Sequence, residues 1–366
     1  MYDAIVVGAR CAGSPTAMLL AQAGHRVLVV DRATFPSDTL STHFITPDGV
    51  MRLQAWGLYD RIVATGVPVT RGTQRSIGGM TMPPDPNEPI ALCPRRTVLD
   101  KILVDAARDA GAEVREGVLV ESLIEEDGQI VGIRGRRGDD RFEERAKVVI
   151  GADGRESFVA RQVGAEEYNV VEGHTGGYYG YFKNFGGDLQ ELYMGGGYAM
   201  FVFRTNDGEA CIGVEMVADK YKAFRSDIEG SIRRALSTVP SLIERYEKAE
   251  RSGKIMGLTP HKSFYRKPYG DGWALVGDAG YYRDPLLGQG INDALRDAEE
   301  LARALDGVFT GRASWDDAMA GYQRQRDDAT RDVYHLTAVL TEKLDPGPAE
   351  MALMAGGPPE KSPAPV

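Results

Sequence analysis

The stretch from Tyr2 to Asp31 leaves this chain little freedom. Residues 4 to 7, AIVV, form a continuous apolar run ending in Gly8, the pattern of a parallel strand buried on both faces and stopped by a tight turn. Helical spacing follows at once: Ala17, Leu20 and Ala21 share one face, Gly24 closes the helix, and Arg26 to Val30 forms a second strand ending at Asp31. Together they make a βαβ unit. Within it, Gly8, Gly13 and Asp31 stand where a dinucleotide site needs a tight turn, close helix–sheet packing and an acid for a ribose. A pyrophosphate belongs near Ala12 to Ser14, where unpaired N–H groups and the helix dipole favour an anion. Arg10 replaces the usual middle glycine, so its side chain either extends outward or sets a guanidinium beside a phosphate or a cofactor ring. Arg32, next to the ribose acid, joins the candidate cofactor contacts.

Farther along, residues 97–110, TVLDKILVDAARDA, repeat apolar side chains at Val98, Ile102 and Ala106 and predict an amphipathic helix; GAEVREG begins another strand. A meander follows, with turns at EEDGQ and RRGDD, and closes on the buried run Val148 to Ile150. From about 166 to 265 the chain is rich in glycine and aromatic residues, as in HTGGYYGYF and LYMGGGYAMFVF, which predicts antiparallel strands interrupted by one helical piece, SDIEGSIRRAL. GDGWALVGDAG then restores a buried strand ahead of a helix from about 289 to 306.

Composition removes several function classes. Lys+Arg 43 against Asp+Glu 53 gives a formal charge of −10, which argues against nucleic acid as a partner. The three cysteines, Cys11, Cys93 and Cys211, are too few and too scattered for a disulfide framework or a zinc site, so no metal is expected and a reducing cytoplasm fits. No apolar run approaches the ~18 residues of a spanning helix, so no stable membrane insertion is expected, and the start MYDAIVVGA lacks a basic export signal. There is no Gly-x-Ser-x-Gly elbow, which sets hydrolases aside.

Two later motifs carry chemistry. Gly277 and Asp278 end a buried strand, where the carboxylate is placed to accept hydrogen bonds from a polyol such as a ribityl chain. Gly288, Gln289 and Gly290 precede a helix whose free N–H groups suit the negative charge of a reduced flavin. Taken with GADGRES at 151–157 and GDAGYYRDPLLGQGINDALRDAEELA from 277, the N-terminal motif resembles the three signatures of the p-hydroxybenzoate hydroxylase-like flavoproteins. Their wider superfamily includes geranylgeranyl reductases and flavin halogenases. The resemblance spans most of the chain in the same order.

What the resemblance implies is noncovalent FAD, with Asp153 in the middle motif supporting its pyrophosphate, Ile291 at the last motif, and Pro285 close to the flavin. Arg96, ahead of Leu99, is similar to the family's Arg-x-x-Leu element, whose arginine contacts the cofactor; Tyr322, Arg324 and Arg326 match a helix with a structural role. The reaction implied is monooxygenation of an aromatic or polyketide-like small molecule by NAD(P)H and O2 through a flavin C4a-hydroperoxide. NAD(P)H would be a transient donor, since no second dinucleotide motif is present. An alkene reductase of the geranylgeranyl reductase type, or a flavin-binding protein without turnover, is the alternative. Tyr281 and Tyr282 stand where many hydroxylases have a histidine, and the Trp-x-Trp-x-Ile-Pro element of tryptophan-type halogenases is absent.

The expected fold class is therefore α/β: a Rossmann-like FAD-binding domain (1–69, 96–165 and 266–345) with a second, mainly antiparallel β-sheet substrate domain (70–95 and 166–265). The Pro- and Gly-rich 346–366 is expected to be a flexible tail, and the chain a monomer or homodimer. On the substrate side, the loop DTLSTHF offers Thr42 and His43, the latter as a candidate acid/base. Tyr179, in a run of alternating tyrosines, is a candidate for the pocket wall.

Overall fold

AIVV is a strand because both of its faces are covered: Ala4 and Val6 pack among helices, Ile5 and Val7 among strands. The computed structural model describes residues 1–354 apart from Thr42 and Pro86. Tyr2–Val7 pairs in parallel with Val27–Asp31 on one side and Asp140–Gly151 on the other. Trp273–Leu275 and Glu113–Glu116 extend the sheet, again in parallel, beyond these two. The C-terminal ends of these strands, at Val7, Asp31, Gly151 and Leu275, therefore lie along one edge, where open α/β sheets bind their ligands.

One face of this sheet is covered by the helices Gly13–Gln22, Arg96–Asp109 and Gly290–Phe309, which contribute Leu20, Leu99, Leu103, Leu295 and Leu301 to a common core. The other face is covered by the meander Val118–Glu126, Gln129–Arg137 and the start of Asp140–Gly151, through Val118, Val120, Ile130 and Ile133.

A second sheet, mainly antiparallel, contains Thr175–Lys183, Ala210–Val217, Tyr198–Arg204 and Gln190–Gly195 as successive neighbours, and Thr73–Ile77 joins it in parallel. Strand alternation sorts its tyrosines. Tyr178 and Phe182 face outward into the core beneath three helices, Ala218–Ser226, Ile228–Leu236 and Pro240–Lys248, whereas Tyr179 and Tyr181 join Phe203 and Cys211 on the inner face. Sequence spacing predicts one helix here, and the structure has three. The third helix does carry a repeating apolar face, Leu242, Ile243 and Tyr246 after Val239, which the sequence reading passed over; the first buries only Phe224 fully, with Tyr221 beside it, and gives a weaker pattern.

The long helix Trp315–Lys343 locks the two sheets to the Asp278 turn. Tyr322 donates its hydroxyl to the Leu275 carbonyl at 3.0 Å, and the fully buried Arg326 donates to the carbonyls of Gly280 at 3.0 Å and Arg266 at 3.1 Å. Arg324 faces solvent. Inside the segment expected to be a tail, Pro348–Met354 is a short helix, consistent with its run of Ala, Glu, Met and Leu after an initial proline. Residues 355–366 lie outside the described residues.

Candidate functional site

A cavity of about 790 Å³ opens where the C-terminal edge of the parallel sheet meets the inner face of the second sheet. Most of the sequence-predicted positions line it: Gly8, Arg10, Ala12, Asp31 and Arg32 from the first motif, Arg96 and Asp153 from the middle ones, Asp278, Pro285, Gly288, Gly290 and Ile291 from the last. Gly13 and Gly277 lie beneath this lining and let it form. A Cβ on Gly13 would stand 1.8 Å from the Gly8 carbonyl oxygen, and one on Gly277 would stand 2.8 Å from the Ala12 Cβ.

Two helix N-termini open on the cavity, at Gly13 and Gly290, and neither has a side-chain cap, which leaves the Gly13 N–H and the first N–H groups of the Gly290 helix for an anionic ligand; the Ser14 N–H is taken by the Arg10 carbonyl and Pro15 has none. Asp31 does more than wait for a ribose: one carboxylate oxygen accepts from the Ala9 N–H and the other from the Ala33 N–H, both at 2.7 Å. It therefore also shapes the glycine-rich loop.

Asp100, buried and missed by the sequence reading, organises the cations. It accepts two bonds from Arg96, at 3.0 and 3.1 Å, and one from Arg10 at 2.5 Å. Arg10 spends its other donors on the Ser37 carbonyl and hydroxyl, so it borders the cavity while its guanidinium reaches toward the loop after the second strand. Two guanidiniums on one carboxylate leave net positive charge beside the Gly13 helix start, where a pyrophosphate would lie. The Arg96–Asp100 spacing of one helical turn was readable; its meeting with Arg10 was not.

Asp278 is open to the cavity yet deep within it. Loss of hydration pushes its carboxyl up to about 6 despite the opposing charge of Arg96, and the nearby Asp293 adds to the rise. Such a group gains from a ligand that brings hydroxyls in place of water.

Asp153 lines the cavity as expected and has a second role. Its carboxylate accepts from Ser157 Oγ at 2.5 Å and from the N–H groups of Phe158 and Val159 at 2.7 and 3.2 Å, so it anchors the start of the helix Phe158–Gln162 as well as bordering the cavity. His43 does not reach the cavity. It is fully buried behind the cavity wall, Nε2 against the Tyr181 hydroxyl, and burial, reinforced by the cations of Arg96 and Arg95, lowers its pKa to about 3. A neutral imidazole outside the cavity is no acid for substrate. Thr42 lies outside the described residues. Tyr179 does line the cavity, and its hydroxyl accepts from the Ser41 N–H at 3.0 Å; burial raises its phenol well above the usual range.

Two further lining residues were not singled out from sequence. Arg155 donates to the Tyr282 hydroxyl at 3.1 Å, and Glu215 projects from the inner face of the second sheet beside Gly177. For Glu215 a signal existed: ACIGVEMV places Cys211, Gly213 and Glu215 on one face, an acid at a position patterned for burial. Among the described residues no group of His, Cys, Asp and Glu is arranged to hold a metal, and no helix is long and apolar enough to cross a membrane.

Comparison with known proteins bears on the same cavity. A family model described as FAD binding domain matches residues 1–193 and 197–337. A digeranylgeranylglycerophospholipid reductase of Methanocella arvoryzae is 30% identical over 314 residues, 80% of this chain and 74% of the relative. A 1H-pyrrole-2-carbonyl-(peptidyl-carrier protein) brominase of Pseudoalteromonas luteoviolacea is 25% identical over 328 residues, 84% of this chain and 78% of that one. In fold, a flavin-dependent brominase superposes with a TM-score of 0.83 at 20% identity, over 93% of this chain and 88% of the other. A probable FAD-dependent monooxygenase from Pseudomonas aeruginosa does so at 0.82 and 22%, over 94% and 96%.

Proposed function

Because this chain belongs to the FAD binding domain family and is an FAD-dependent oxidoreductase, we propose one finer reading: it monooxygenates a small, flat, aromatic or polyketide-like acceptor, drawing electrons from reduced nicotinamide. The observation that carries the reading is the size and lining of the cavity. Its 790 Å³ must hold the dinucleotide and the acceptor together, and the wall contributed by the second sheet is largely aromatic and aliphatic, with Tyr179, Phe201 and Leu258 around the acid Glu215. A flat acceptor fits such a wall. The residues fit FAD itself: two uncapped helix starts and a net positive loop for the pyrophosphate, Asp31 for the ribose, Asp278 for the ribityl hydroxyls.

When bound, FAD supplies the two-electron chemistry and the activation of O2. The chain's own residues hold it, orient the acceptor against the aromatic wall and keep bulk water out.

Similarity to a digeranylgeranylglycerophospholipid reductase favours a second reading, reduction of an alkene. An acceptor as long as that relative's name describes is poorly matched to a cavity shared with FAD, which is why oxygenation of a smaller molecule is preferred. The test is a screen of phenols, aromatic polyketides and isoprenoids for stimulated NADH or NADPH oxidation, with released peroxide followed in parallel. A flat aromatic acceptor is expected to raise nicotinamide oxidation and lower peroxide. Stimulation by isoprenoids alone, with no oxygen consumed, would reject the oxygenase reading.

A further inference from the structure

Glu215 and Asp284 come from different parts of the chain and meet on one hydroxyl. Thr175 Oγ1 lies 2.7 Å from a Glu215 carboxyl oxygen and 2.5 Å from one of Asp284, with all three side chains buried. A threonine has a single hydroxyl proton, so it can donate to only one of the two. The other contact is a hydrogen bond only if that carboxyl is itself protonated and donates to the threonine oxygen. Among the described residues no cation pairs with either acid: Arg283, next in sequence to Asp284, donates instead to Asp293 at 2.8 Å.

One proton is shared by the pair: burial, the charge of Asp284 and a direct hydrogen bond to it push the Glu215 carboxyl well above the usual range.

The cluster also spans two cavities. Glu215 and Asp284 line the main cavity, Asp284 directly before Pro285 and the Gly288 turn. Asp284 also lines a separate pocket of about 10 Å³, the size of one water, bordered by Glu172, His174, Ser263 and Arg283. His174 and Glu172 reach solvent, Tyr334 also borders the small pocket, and Tyr282 lies near Asp284.

We propose that Glu215, Thr175 and Asp284 form a proton relay that carries one proton at a time from the small pocket beside His174 into the cofactor end of the main cavity. The O–H bond of Glu215 breaks as its proton passes to an acceptor in the cavity. Asp284, a carboxylate while Glu215 holds the proton, then takes up a proton delivered from solvent through the small pocket and passes it to Thr175 as the Thr175 hydroxyl proton moves to Glu215, which restores the starting state. Only protons move; the electrons of turnover travel separately through the cofactor. The destination of the proton rests on the FAD reading above, whereas the relay's chemistry does not depend on which acceptor is used.

Two readouts independent of turnover test it. The infrared spectrum of the apoprotein at neutral pH minus that of Glu215→Gln is expected to contain the band of a protonated carboxyl. Proton uptake during anaerobic photoreduction of bound FAD, followed with an indicator dye, is expected to slow by about a hundredfold in Thr175→Val and to recover in Thr175→Ser. Absence of that band from the difference spectrum, or unchanged uptake in Thr175→Val, overturns the relay. Neither measurement requires O2 or an acceptor, so failure of the oxygenase reading leaves the result interpretable.

Discussion

Gly13→Ala is expected to cost this protein its tight hold on FAD while leaving it folded. Gly13 is the first residue of the helix behind the glycine-rich loop, and a Cβ there would stand 1.8 Å from the Gly8 carbonyl oxygen and 3.1 Å from the Ala152 Cβ. The first contact is with backbone, which has no rotamer to yield, so the loop must move away from the end of the Asp140–Gly151 strand. Such overpacking costs ~3 kcal/mol, and because the displaced groups are those that face the pyrophosphate, affinity should fall about a hundredfold. Fluorescence titration of apoprotein with FAD measures this, with circular dichroism as the check on folding. An alanine variant that binds FAD as the unmodified protein does would remove the loop from the cofactor site.

Arg326→Ala is expected to have the largest effect on stability. Its guanidinium is 1% exposed and joins four partners: the Gly280 and Arg266 carbonyls, the Tyr168 hydroxyl at 2.7 Å and the Asp327 carboxylate. Truncation leaves buried acceptors without donors and a cavity where the side chain lay, a loss of about 3–5 kcal/mol. That is a large part of the roughly 5–15 kcal/mol by which domains are stable. Arg326→Lys should recover little, since an ammonium cannot serve carbonyls in several directions as the planar fork does. Urea unfolding followed by circular dichroism gives the value; a change under ~1 kcal/mol would mean that the carbonyls find other donors.

How much of this was legible in the sequence follows from the range over which each feature is decided. The AIVV strand, the Gly13 helix and Asp31 were readable because the pattern, the turn and the strand-end acid all fall within one βαβ unit. Asp278 was readable for the same reason: a buried run and a glycine turn place it locally. His43 misled because a histidine in a polar loop carries no sign of which side of the neighbouring sheet it will face; packing turned it toward Tyr181 and away from the cavity. Asp153 was correctly placed at a strand end, yet its role in capping depends on Ser157 and on where the next helix starts. Asp100 and Arg10 are ninety residues apart and meet only when the Arg96–Asp109 helix packs beside the glycine-rich loop; Thr175 and Asp284, more than a hundred apart, meet only when the two sheets are assembled. Of the helices over the second sheet, Ala218–Ser226 stayed hidden because it buries too few side chains to impose a period, whereas the Val239, Leu242, Ile243, Tyr246 spacing of Pro240–Lys248 was legible and was passed over.

The most direct test of the oxygenase reading is turnover under ¹⁸O₂ with mass analysis of the product. The account predicts a single labelled oxygen atom in each product molecule, no product without O2, and hydrogen peroxide when the acceptor is left out, because activated oxygen that meets no acceptor is lost to water. Unlabelled product formed anaerobically, carrying two added hydrogens across a former double bond, would contradict it and leave the FAD site standing as that of a reductase.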